Sequence, residues 1–96
     1  MTKYKVVIFR VEVPKEKGLK PQDVWDSETN HNITTVRSFD TPEEAKVFYD
    51  TIITLVKDCG RYNLHFCKAI EINDYDDNGD LVNGGDWQCV DFGENL

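Results

Sequence analysis

The stretch that decides the fold is Tyr4–Val13, YKVVIFRVEV. It is filled with β-branched and aromatic residues, the composition that packs best on a pleated surface. Side chains alternate across a strand, so Val7, Phe9, Val11 and Val13 share one face. Tyr4, Val6 and Ile8 share the other. A strand with one wet face would alternate apolar with polar residues. Apolar residues on both faces predict a central strand, covered on two sides. The remaining chain must therefore supply pairing partners and two covers.

Working outward, Ile33–Phe39 (ITTVRSF) predicts a second strand, polar enough for a half-exposed edge. Leu64–Tyr75 predicts a third. Leu64, Phe66, Ile70 and Ile72 lie on one of its faces, with Lys68 interrupting the apolar row. His65, Cys67, Ala69, Glu71 and Asn73 lie on the other. Asp76-Asp77-Asn78-Gly79-Asp80 predicts a hairpin, with Asn-Gly in the two φ > 0 positions of a type I′ turn. A fourth strand then runs from Leu81 to Phe92, and Gly84-Gly85 marks a bulge or bend in it.

Thr41-Pro42-Glu43-Glu44 is a capping box with proline at the first helical position. Ala45, Phe48, Tyr49, Ile52, Leu55, Val56 and Cys59 follow it at helical spacing, which predicts a helix over 42–59 ended by Gly60. A right-handed crossover then places the third strand beside the first. The expectation is a single α+β domain over 1–96. It has a four-stranded antiparallel sheet, ββαββ in the order 2-1-3-4, with one helix packed on one face. Residues 14–32 read as a long loop, punctuated by Pro14, Gly18 and Pro21 and polar from Asp26 to Asn32. Only this loop is left to cover the second face. Uncovered, that face is an apolar patch suited to an interface, and homodimerisation would bury it.

The chain has 96 residues, 11 Lys plus Arg, 18 Asp plus Glu and a formal charge of -7. No apolar run approaches the ~20 residues of a membrane-spanning helix, and the first residues carry no signal-peptide pattern. A direct nucleic-acid binder would carry a basic stripe, and this chain is acidic. The charge is unevenly placed: residues 1–70 balance at +1, and residues 71–96 hold eight acids and no base. The whole net charge thus comes from one hairpin, residues 71–92, and a short tail. Three cysteines, Cys59, Cys67 and Cys89, are an odd number, which favours reduced thiols in a cytoplasmic protein over a disulfide framework.

Motifs for chemistry are sparse. Asp74, Asp76 and Asn78 with Gly79 match the first half of a calcium loop. The bidentate glutamate required at its twelfth position is Gly85, so weak cation binding is the most the pattern allows, and an acidic hairpin is the favoured reading. His65, Cys67 and Cys89, with Cys59, lack the paired spacing of zinc sites. No nucleophile elbow, phosphate loop or metalloprotease motif occurs, so neither a catalytic residue nor a cofactor is expected.

What remains is a charged surface. The expected partner-binding residues are Glu71, Asp74, Tyr75, Asp76, Asp77, Asp80, Asp86 and Trp87. Trp25 reads first as an anchor for its loop and second as an aromatic contact. Alternate residues on a strand lie about 6–7 Å apart, close to the phosphate repeat of a nucleic-acid strand. Size, mixed fold and segregated acid resemble, at the level of class, small inhibitors made by phages and other mobile elements. Some of these, anti-CRISPR proteins among them, block nucleases by imitating DNA. The resemblance implies a non-enzymatic, cytoplasmic protein-binding module that engages a basic, nucleic-acid-binding partner. The alternatives are a weak calcium domain, a homodimeric structural protein, or acid that serves solubility alone.

Overall fold

The computed structural model describes residues 1–25 and 33–93. The polar run Asp26–Asn32 and the tail Glu94–Leu96 lie outside the described residues. The described chain forms five strands: β1 (Thr2–Pro14), β2 (Thr34–Phe39), β3 (Leu55–Asp58), β4 (Tyr62–Tyr75) and β5 (Leu81–Asp91). A 3-10 turn at Lys15–Lys17 and two helices, α1 (Pro21–Val24) and α2 (Pro42–Tyr49), complete it.

β1 and β4 form the spine. They pair antiparallel from Thr2↔Asp74 to Pro14↔Tyr62 without a register shift. Thirteen residues at about 3.4 Å each span roughly 44 Å, and the long axis of the molecule is 49 Å. β2 flanks β1 on one side. On the far side of β4, β3 pairs with its first half and β5 with its second.

This architecture corrects the expected one. Strand accounts for 56% of the described residues and helix for 16%, and the five-stranded sheet curls into a half-barrel rather than lying as four strands under one long helix. The largest error is the helix over 42–59. Its start is as expected: the Thr41 hydroxyl accepts from the Glu44 amide at 3.2 Å. Its end is not, because α2 stops at Tyr49. The next residues, Thr51-Ile52-Ile53-Thr54, are all β-branched, and such side chains lose χ1 freedom against a helical turn. The chain turns away, and Leu55–Asp58 becomes β3 on the edge of β4. The apolar spacing of Leu55 and Val56 suited either period, and propensity decided between them.

The expected 14–32 loop is also partly structured. Pro21 fixes the first turn of α1, where the Asp23 carboxylate accepts from the Lys20 amide at 2.9 Å.

Both faces of β1 are covered where they are most apolar. α2 lays Ala45 and Tyr49 on Val6 and Ile70. The opposite face holds Val7, Phe9, Val11 and Val13 with Cys67 and Ala69, under Leu19, Val24, Trp25, Ile33, Trp87 and Phe92. At its centre Phe9 meets Trp25, Trp87 and Phe92 with ring centroids 5.0, 5.2 and 5.7 Å apart. Aromatic pairs at this separation add to what area burial alone supplies.

Lys68, which interrupts the apolar row of β4, is buried under the end of α2. Its ammonium donates to the carbonyls of Tyr49 and Ile52, each at 2.9 Å, and stands 4.0 Å from the centre of the Tyr49 ring. A cation at a helix C-terminus satisfies orphan carbonyls and faces the negative end of the dipole. Lys68→Met, which keeps the stem and removes the donors, is expected to cost about 2 kcal/mol in urea unfolding. It should also speed amide exchange in the last turn of α2. Unchanged stability would show that Lys68 does not hold the helix end.

The Tyr49 hydroxyl donates to the Cys89 carbonyl on β5, tying α2 to the opposite side of β4. Burial, reinforced by the charge of Asp91, raises its pKa from 10.0 to about 12. Because the folded value lies above the unfolded one, the protonated tyrosine stabilises the fold fully below pH 10, and this is lost as pH rises toward 12. Wild type should therefore lose stability faster over that interval than Tyr49→Phe, measured by urea midpoints at stepped alkaline pH. Parallel curves would contradict this assignment.

Candidate protein-binding site

The acidic residues of the β4–β5 hairpin fall into two groups. The first is built into the scaffold. The Asp76 carboxylate accepts from the amides of Asn78 and Asp80, both at 2.9 Å. The Asp76 amide in turn donates to the Asp80 carbonyl at 2.9 Å and Gly79 closes the turn onto the Asp76 carbonyl at 3.0 Å. Gly79 is left-handed, at φ 82°, and Asn78 is not. The turn is therefore not type I′. It is a three-residue loop with one left-handed glycine, chosen because the aspartate side chain organises the backbone ahead of it.

Asp74 accepts a hydrogen bond from the Thr2 hydroxyl on β1. Glu71 accepts from the Trp87 indole and from the Asn73 amide, both at 2.8 Å. Buried Asn73 completes the chain by accepting from the Gly85 amide at 3.0 Å. Together these bonds fix where β5 crosses β4. They also explain Gly84: a Cβ there would stand 2.3 Å from the Asn73 side-chain oxygen. Gly84→Ala is expected to push Asn73 off Gly85 and cost roughly 1–3 kcal/mol. Urea unfolding and loss of protection at the Gly85 amide would read both effects. Wild-type stability with the Gly85 amide still protected would refute the close contact.

The second group is free. Asp77, Asp80 and Asp86 are exposed, and their carboxylates meet no hydrogen-bond or ion-pair partner among the described residues. Leu81 and Val82 beside them are 60% and 67% exposed. The turn of the hairpin is less acidic than the sequence alone implies. A cleft of about 510 Å³ there is lined by Lys3, Lys5, Tyr75, Asp76 and Asp77, and the Lys5 ammonium lies 5.9 Å from the centre of the Tyr75 ring. Lys3 and Lys5 therefore stand beside Asp76 and Asp77 at the tip, while Asp80 and Asp86 do not line that cleft.

The two tryptophans are half-buried against the core. Trp25 and Trp87 stack with centroids 4.8 Å apart beside Phe9. The buried Trp25 Nε1 has no hydrogen-bond partner among the described residues.

The other sequence candidates are dispersed. Among the described residues no three His, Cys, Asp or Glu side chains converge on a point able to hold a metal ion. His65 is buried with Nδ1 2.6 Å from the Phe92 carbonyl. Cys59 is half-buried, Cys67 buried and Cys89 exposed, and none of the three forms a disulfide among the described residues. Among the described residues no helix is long and apolar enough to cross a membrane.

One surface escaped sequence reading. Arg37 and Phe39 of β2 line a groove of about 370 Å³ with Glu44, Val47, Phe48 and Thr51 of α2 and its end. The signal was present in Val47, an apolar residue on the wet side of the helical stripe.

No family model, no curated protein and no solved structure matches this chain.

Proposed function

We propose that the chain is a non-enzymatic protein-binding module that presents Asp77, Asp80 and Asp86 to a basic surface of a partner, of the kind nucleic-acid-binding proteins carry. One observation carries this reading. The scaffold acids hold the hairpin in one conformation, while these three carboxylates stand exposed with no ion-pair partner among the described residues. A preorganised array of like charge attracts a basic surface from a distance and gives up little conformational entropy on contact. Exposed apolar Leu81 and Val82 supply the kind of contact that excludes water around such pairs. Imitation of a nucleic-acid strand is the narrower form of the same reading.

An oligo-arginine peptide serves as the probe, titrated into labelled protein and followed by amide shifts. Perturbations should centre on residues 77–86 and weaken with salt. Reversal to lysine at Asp77, Asp80 and Asp86 together should lower affinity by about tenfold or more, since exposed pairs are worth roughly 0.5 kcal/mol each. Asp76 is left intact because its carboxylate organises the turn. Unchanged affinity in the folded triple variant, or shifts centred on Glu43 and Glu44, would sink the proposal.

A further inference from the structure

We propose that a second copy of this chain docks on the β2 edge and joins two half-barrels into one continuous antiparallel sheet. The β2–α2 groove is the contact surface.

The sheet's edges are unequal. β5 carries three register shifts against β4 and the exposed Asp86. Bulges and charges of that sort are the usual protection against edge pairing. β3 is four residues long. β2 offers six residues, Thr34-Thr35-Val36-Arg37-Ser38-Phe39, with no Pro, Gly, Lys or acid among them and a single register shift, near Val36. Thr34 to Ser38 are all exposed, and no described strand pairs with the outer side of β2. An edge of this composition is the one that accepts another strand.

The groove beside it says which strand. Half-buried Phe39 and Phe48, with centroids 5.7 Å apart, form its floor, and Val47, 71% exposed, forms its wall. It holds one cation and one carboxylate, Arg37 and Glu44. Arg37 rests on the Phe39 ring at 5.2 Å and makes no ion pair among the described residues. A two-fold contact needs a surface that complements itself, with residue i meeting j and j meeting i. A groove with one charge of each sign does so: Arg37 of each copy meets Glu44 of the other, and the two Val47 side chains come together. An acidic or a basic peptide would satisfy only one of the two charges.

Charge placement points the same way. The net charge of -7 opposes any self-association. Asp86 and Asp91 on β5, however, lie across the sheet from β2, in the order β2-β1-β4-β5, while the turn acids Asp76 and Asp77 line a cleft that reaches Ser38 at the end of β2. Pairing through β2 sets the two acidic strands at opposite margins of the joined sheet, seven strand spacings apart along its curved surface. Pairing through β5 would bring them face to face.

Sedimentation velocity from micromolar to millimolar protein tests this. Wild type should shift toward twice the monomer mass as concentration rises. Arg37→Glu should weaken association by about tenfold or more, since each substitution acts twice in a two-fold contact. The double swap Arg37→Glu with Glu44→Arg should restore it. Val47→Asp, at an exposed site, should also leave a folded monomer. A wild type that stays monomeric at millimolar concentration overturns the proposal, as does a dimer indifferent to both Arg37→Glu and Val47→Asp. The oligo-arginine titration separates the two readings. Val47→Asp should bind the peptide as wild type does per chain, whereas the triple aspartate variant should still dimerise.

Discussion

The pairing of β1 with β4 is the constraint on which the rest depends. Thirteen consecutive residues of β1 find partners without a single slip. A one-residue shift would exchange the two faces of either strand and send Val7, Phe9 and Val11 toward α2. Register is specified so firmly because one face is buried from Val7 to Val13 under the aromatic cluster around Phe9, and the other is buried at Val6 under Ala45 and Tyr49. With the spine fixed, the remaining strands need little pairing energy of their own. That is why a four-residue strand and a heavily bulged one can both attach to β4.

The spine also sorts the acidic residues. Those whose side chains reach the spine or the turn backbone are consumed as acceptors: Glu71 by an indole and an amide, Asp74 by a threonine, Asp76 by two backbone amides. Those projecting away retain their charge for solvent or a partner. Net charge counts both kinds alike. Only their hydrogen bonds separate a carboxylate that holds the protein together from one that gives it a field.

What could be read in the sequence follows the range of the interactions involved. The first strand was legible because its two-faced apolar pattern is local and long. So was the start of α2, where Thr41, Pro42 and Glu44 act within one turn. The end of α2 was not, because the stripe from Ala45 to Cys59 fits a helix while Thr51 to Thr54 resist one, and the outcome rests on β4 offering an edge to β3. Lys68 read as an interruption for the same reason: its partners are carbonyls 16 and 19 residues away. At the hairpin, composition located the charge. It could not distinguish Asp76 from Asp77, whose roles differ by which way one side chain turns.

β5 holds a further consequence. It spends eleven residues on a stretch of β4 that is three residues shorter, and each surplus residue sits in its own bulge. Chain length and sheet length are thereby uncoupled on this strand more than on any other described one. A residue lost or gained at Val82 alters one bulge and leaves the pairing on either side in place, whereas the same event in β1 or β4 would reverse which face every later side chain joins. The strand that carries the exposed acid is thus also where the chain can change length at least cost, so its outer surface can vary across generations while the interior it rests on stays the same.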